Sequence, residues 1–232
     1  MAMAWALLRS THPGPSFAVA ALAAILSWGF GVGLIPAVLV VLSVLLNQFS
    51  VGLSNDAIDA PRDQEAKRSD KPVAAGEISR AGVWAWAIIF AMVSLTLAGL
   101  IHPGVLISQA VFLLAGWFYN LGLKSTVFSA LAYAVGFGAL PAIISYAAHP
   151  AAFPPWWSVV IAAGLGIAAH FGNVVPDREA DAAQGVRGLP QRLPARVAAG
   201  VLTGMIIVMA GGLVPGAGTQ AFPASLPSAA VA

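Results

Sequence analysis

With 232 residues, 59% of them hydrophobic and only 9% charged, the chain lies far from the roughly 25% charged residues of soluble domains. Its class is therefore that of integral membrane proteins. A formal net charge of +2 is too small to point to nucleic acid. The absence of Cys excludes disulfides, thiolate metal sites and a cysteine nucleophile.

A bilayer core of about 30 Å is crossed by about 20 helical residues. The apolar runs on that scale predict an all-α, polytopic bundle of seven spans, near 17–33, 36–54, 82–101, 104–122, 127–147, 156–173 and 196–214. The first run follows Arg9 and reads as a retained helix, not a cleaved signal. His12, in T-H-P-G-P, reads as a turn residue. Breaks between spans carry Gly or Pro, as at Ile35-Pro36, His102-Pro103-Gly104 and Pro154-Pro155. Tryptophans gather near span ends, as aromatic belts do, leaving Trp117 and Phe118 as candidates to line a cavity. His170 reads as a hydrogen-bonded histidine between helices, and Gly136, Gly138, Gly164 and Gly166 as points of close helix packing. The domain expectation is a membrane domain over residues 1–214, followed by a disordered or truncated tail over 215–232.

The second span ends in N-D-A-I-D-A-P-R-D, residues 55–63. Asn55, Asp56, Asp59 and Asp63 recur every three or four residues and share one face if the helix continues. A second set, Asn173, Asp177 and Asp181, follows the sixth span with spacings of four. Carboxylates resist burial near hydrocarbon unless paired, hydrated or bound to a cation. Two separated acidic clusters therefore predict a divalent-metal site. Pro61 and Pro176 are expected to interrupt the two motif helices. With alternating spans, all 11 Lys and Arg residues fall on one face, at the N-terminus and after spans 2, 4 and 6. The positive-inside rule makes that face cytoplasmic. The nine acids obey the same division, six after span 2 and three after span 6. The similar placing of the two clusters suggests an internal duplication.

Mg²⁺ takes oxygen ligands and is commonly held by a few carboxylates together with substrate phosphate. Two facing acidic clusters suit a diphosphate, with nearby Lys and Arg neutralising the remaining charge. A site at the end of a membrane bundle favours a lipid-compatible substrate, and an allylic isoprenoid diphosphate meets both demands. Stabilising the departing diphosphate weakens the carbon–oxygen bond, and the allylic cation then needs an apolar or aromatic cavity that excludes water.

On these residues the chain resembles the UbiA superfamily of membrane prenyltransferases. The family's NDxxDxxxD motif is matched by Asn55, Asp56, Asp59 and Asp63, and its second DxxxD motif by Asp177 and Asp181. An Arg-Pro-Leu-x-x-Gly segment reads K-P-V-A-A-G here, with Lys71 in place of Arg. A Tyr followed by a Lys is matched by Tyr119 and Lys124. The resemblance runs from about residue 9 to 214. It implies that Asp56, Asp59, Asp63, Asp177 and Asp181 bind Mg²⁺ around the diphosphate of a prenyl donor. Asn55 and Asn173 would orient ligands, Lys71 and Lys124 would contact phosphate oxygens with Arg68 as a weaker candidate, and Tyr119 would lie near the prenyl chain or the acceptor. The implied reaction is prenyl transfer to an aromatic or quinone-precursor acceptor in the inner (cytoplasmic) membrane, without nucleic acid. The family usually has nine membrane helices, against the seven predicted here.

Three other readings compete. A CDP-alcohol phosphotransferase requires an Asp-Gly pair, which the sequence lacks. A cation-coupled transporter places ionisable groups near the membrane midplane, where this chain has none. A non-catalytic or truncated relative remains the alternative to an enzyme.

Overall fold

The computed structural model describes residues 2–174, 186–201, 203–205 and 207. All regular structure among them is helical: α1 (Ala2–Ser10), α2 (Pro13–Gly29), α3 (Leu34–Glu65), α4 (Arg80–Ile101), α5 (Pro103–Leu121), a 3₁₀ turn (Leu123–Ser125), α6 (Ser129–Ser145), α7 (Trp156–Val174) and the short α8 (Leu189–Arg192). Residues 195–201 are also helical. The expected membrane bundle is thus found. Four helices, α3, α4, α5 and α7, are long and apolar enough to cross a membrane, and α2 and α6 are shorter apolar helices. The first part of the seventh predicted span is helical, while its end from residue 208 and the tail expected over 215–232 lie outside the described residues.

Two sequence expectations need correction. Helix begins before residue 17, since α1 and the start of α2 occupy the N-terminal stretch. Nor does Pro61 end its helix: α3 runs on through it to Glu65. Proline has no N–H for the carbonyl four residues earlier, here that of Ala57. The guanidinium of Arg80 supplies the missing donor, with Nε 2.7 Å from the Ala57 oxygen. The defect is repaired from the next helix, so the α-helical ladder survives.

At 32 residues and 1.5 Å per residue, α3 is about 48 Å long. Its last turns therefore project beyond the hydrocarbon, and these turns carry the acidic motif. α3 packs against α2, α4 and α5, while α6 packs between α5 and α7. Deep in the α3–α4–α5 junction a polar knot replaces apolar contact. Ser43 and Ser94 each donate to the other's carbonyl, at 3.0 and 2.8 Å. Gln109 donates to the Ser43 carbonyl and the Ser94 hydroxyl. Such bonds hold helices together where no hydrophobic force does. At the α6–α7 contact, Gly166 allows close approach, because a Cβ there would collide with the Tyr133 carbonyl and the Phe137 side chain.

Candidate active site

The acidic face of α3 is buried, with Asp56 2%, Asp59 8% and Asp63 3% exposed. Burial of three carboxylates demands partners, and the chain supplies them from distant segments. Asp56 Oδ1 accepts a hydrogen bond from Lys71 Nζ at 2.8 Å and lies 3.0 Å from His12 Nε2. Asp59 is gripped at both oxygens by Lys124 Nζ, at 2.5 and 2.6 Å, and Arg62 closes on Oδ2 at 3.1 Å. Such charge-assisted pairs are short and strong. Asp63 faces the charges of Lys71, Asp59, Arg62 and Arg68. Burial pushes the Lys124 ammonium below its ordinary pKa, and Asp59 opposes that shift.

Lys71 reaches Asp56 because the segment after α3 is folded against α1. Arg9 donates to both carboxylate oxygens of Glu77, at 3.0 and 2.9 Å, and to the Asp70 carbonyl at 2.9 Å. Arg68 forms a two-pronged pair with Asp70, at 2.8 and 2.7 Å. That pair holds the Asp70 carboxyl at about 2.

Beside the carboxylates opens a cavity of about 300 Å³ between α2, α3, α5, α6 and α7. Its mouth carries His12, Asn55, Asn120 and Asn173; deeper it is lined by Gln48, Phe112, Ala115, Gly116, Tyr133, Gly136 and Phe137. Asn55 joins the mouth to the motif, donating to Asp59 Oδ2 at 3.1 Å and to Asn120 Oδ1 at 3.3 Å. Asn120 is fixed in turn by the Val51 carbonyl and the Ser54 hydroxyl. Tyr133 hydrogen-bonds with Asn173 and with Tyr119, and the rings of Tyr119 and Tyr133 meet edge to face at 5.1 Å.

The sequence-derived candidates thus separate into groups. Asn55, Asp56, Asp59, Lys71, Lys124, Tyr119 and Asn173 assemble around the cavity mouth and the carboxylates beside it. Arg68 is directed to Asp70, and Asp177 and Asp181 lie outside the described residues. Among the described residues no three His, Asp or Glu side chains form a group able to hold a metal, so the expected three-carboxylate cluster is not drawn together. Lysines divide it, one to each of two aspartates.

Five residues call for correction or addition. His12 is more than a turn residue. It does hold a left-handed turn, with φ 51°, but it also touches Asp56 and lines the cavity. Trp117 lies away from the cavity, donating to Ser50 and packing on Trp84, and Phe118 is exposed. Asn120 and Tyr133 were not singled out by sequence. Their only signal is position, Asn120 next to Tyr119 and Tyr133 one turn into the following helix. His170 matches its expected role: it is buried, its Nε2 lies 2.9 Å from Ser129 Oγ, and it stacks on Tyr133. The same Ser129 oxygen accepts from the Leu189 N–H at 2.8 Å, tying α8 to α6.

The donor set suits a hard divalent cation, being all oxygen on α3, and Asp56 Oδ2 is buried without a hydrogen-bond partner. With Lys71 and Lys124 alongside, the arrangement can receive a polyanion and share metal with it.

The UbiA prenyltransferase family model matches residues 3–232. A UbiA homolog from Archaeoglobus fulgidus, solved bound to GPP and Mg²⁺, is similar in fold with a TM-score of 0.77 and 20% identity, over 90% of this chain and 77% of that one. A UbiA homolog from Aeropyrum pernix K1 gives 0.71 and 17%, over 93% and 79%. A digeranylgeranylglyceryl phosphate synthase structure gives 0.69 and 18%, over 91% and 76%. Comparison with curated proteins finds no match.

Proposed function

The chain belongs to the UbiA prenyltransferase family, and on that premise we propose that it moves an isoprenoid chain from an allylic prenyl diphosphate to an aromatic or quinone-precursor acceptor, with Mg²⁺. One observation carries the reading: lysine-paired carboxylates lie beside a cavity whose mouth is polar and whose interior is mostly aromatic and apolar. The polar end suits a diphosphate and the interior suits an isoprenoid. The cations gathered on one face support a multi-pass protein of the cytoplasmic membrane, with its N-terminus and acidic loops on the cytoplasmic side.

In this proposal Lys71 and Lys124 exchange part of their contact with Asp56 and Asp59 for donor phosphate oxygens. Asn55, held by Asn120, fixes the mouth. Asp56, Asp59 and Asp63, together with Asp177 and Asp181, would hold Mg²⁺, which when bound supplies positive charge to the departing diphosphate. The allylic C–O bond breaks and its electron pair leaves with the diphosphate. The acceptor's π electrons then form the new bond to that carbon, and the displaced ring proton leaves through the polar mouth. Phe112, Tyr119, Tyr133 and Phe137 exclude water and present ring faces that favour a cation.

The test is transfer of label from prenyl diphosphates to a panel of aromatic acceptors, in membranes containing this chain and Mg²⁺. Label in an acceptor, lost with EDTA and in Asp59→Asn, supports the reading. A folded, inserted protein that transfers nothing, and gains no thermal stability from a prenyl diphosphate, overturns it.

A further inference from the structure

The cavity has a floor, and the floor lies at a readable depth. Along α3 its wall runs from Asn55 at the mouth to Gln48, a rise of about 10 Å at 1.5 Å per residue. Beneath Gln48 come Val44 and Val40, which are fully buried and cluster with Leu140, Ile143 and Phe112. Phe112 lines the cavity and also belongs to this cluster, and Phe137 lines the cavity while packing on it. The two rings are therefore the partition between open space and closed core. Gly136 lies beside them, and a Cβ at that position would come within 3.2 Å of the Phe112 ring. Any larger side chain there would take cavity space or move the ring.

We propose that Phe112, Gly136 and Phe137 set the length of the prenyl chain and select a ten-carbon donor, two isoprene units long. The proposal rests on the prenyl-transfer reading of the site. An extended chain advances about 1.2 Å per bond, since the three backbone bonds of a residue span at most about 3.5 Å. A four-bond isoprene unit therefore takes about 5 Å. Two units fill the depth between mouth and floor, with the reacting carbon left beside Asn55. A third meets the two rings and must fold back or leave the cavity, losing burial. A single methylene misfit in an apolar pocket changes specificity by about tenfold or more, so a whole surplus unit has at least that effect.

The experiment compares kcat/KM for five-, ten-, fifteen- and twenty-carbon allylic diphosphates, using the full chain in lipid nanodiscs. The unmodified protein is expected to prefer ten carbons over twenty by at least about tenfold. Gly136→Val raises the floor and moves the preference toward five carbons, while Phe137→Ala lowers it and recovers fifteen. Thermal melts establish that each variant is folded, and Phe137→Leu, a smaller change, should shift the profile part of the way. A flat profile in the unmodified protein, or folded variants with an unchanged ranking, overturns the length assignment while leaving prenyl transfer standing. No transfer and no binding at any length overturns both.

Discussion

Two hollows flank the contact between α5 and α6, and they differ in kind more than in size. The larger, about 410 Å³, is lined by Ile107, Val111, Val135, Ala139, Val159 and neighbours, with Ser108 and Tyr146 among its few polar groups. Its rim includes Ile107, Val135 and Phe153, which are exposed apolar residues of the sort a bilayer covers. The smaller holds an aromatic interior under a mouth of amides and a histidine, adjoining Asp56 and Asp59. Empty volume alone does not make a site; a few converging polar groups at the edge of an apolar hollow do.

Substitutions on the two sides should therefore behave differently. The largest effect is expected from Asp59→Asn, which keeps shape but removes the charge that holds Lys124 and Arg62; prenyl transfer should fall about a thousandfold. Gly138→Ala in the other hollow meets only ordinary contact with Ala163 and Val159 and should change the rate less than about twofold. If both substitutions cost the same, the distinction between the hollows fails. Next comes Lys124→Met, which leaves Asp59 short of its closest cation. Breaking a buried pair from one side costs about 3 kcal/mol, so both the thermal midpoint and the affinity for prenyl diphosphate should drop. Arg80→Leu strips the donor from the Ala57 carbonyl and should cost about 1–3 kcal/mol in a denaturant series, with a several-fold loss of transfer as the end of α3 loosens. The smallest effect belongs to Ser108→Ala, expected within about 0.5 kcal/mol and silent in the transfer assay.

What was legible in the sequence follows from this contrast. Helices were readable because apolar runs of spanning length are local signals. The acidic motif was readable because its spacing repeats within one helix. His12 and Asp56 lie 44 positions apart, and nothing local in T-H-P-G-P announces that the turn brings them together. Pro61 was misjudged because its remedy, Arg80, belongs to another helix. Trp117 was misplaced because a helix apolar on every side gives no periodicity from which to read its inner face. Asn120 and Tyr133 act through contacts across the bundle, which spacing along the chain does not encode.

The bond between Arg80 and the Ala57 carbonyl has a consequence for the segment between α3 and α4. It joins the last turns of one helix to the first residue of the next, closing residues 66–79 into a loop whose two ends are fixed. Arg9 then pins the far side of that loop at Asp70 and Glu77. A loop fastened at its base and its crown has already surrendered most of its conformational freedom on folding. Lys71, which it carries, is therefore held against Asp56 in advance, and on the proposed reading its capture of an anion requires little further ordering. A proline that would ordinarily end a helix thus contributes, through the carbonyl it leaves open, to the readiness of a cation fourteen residues away from the Ala57 oxygen that receives Arg80.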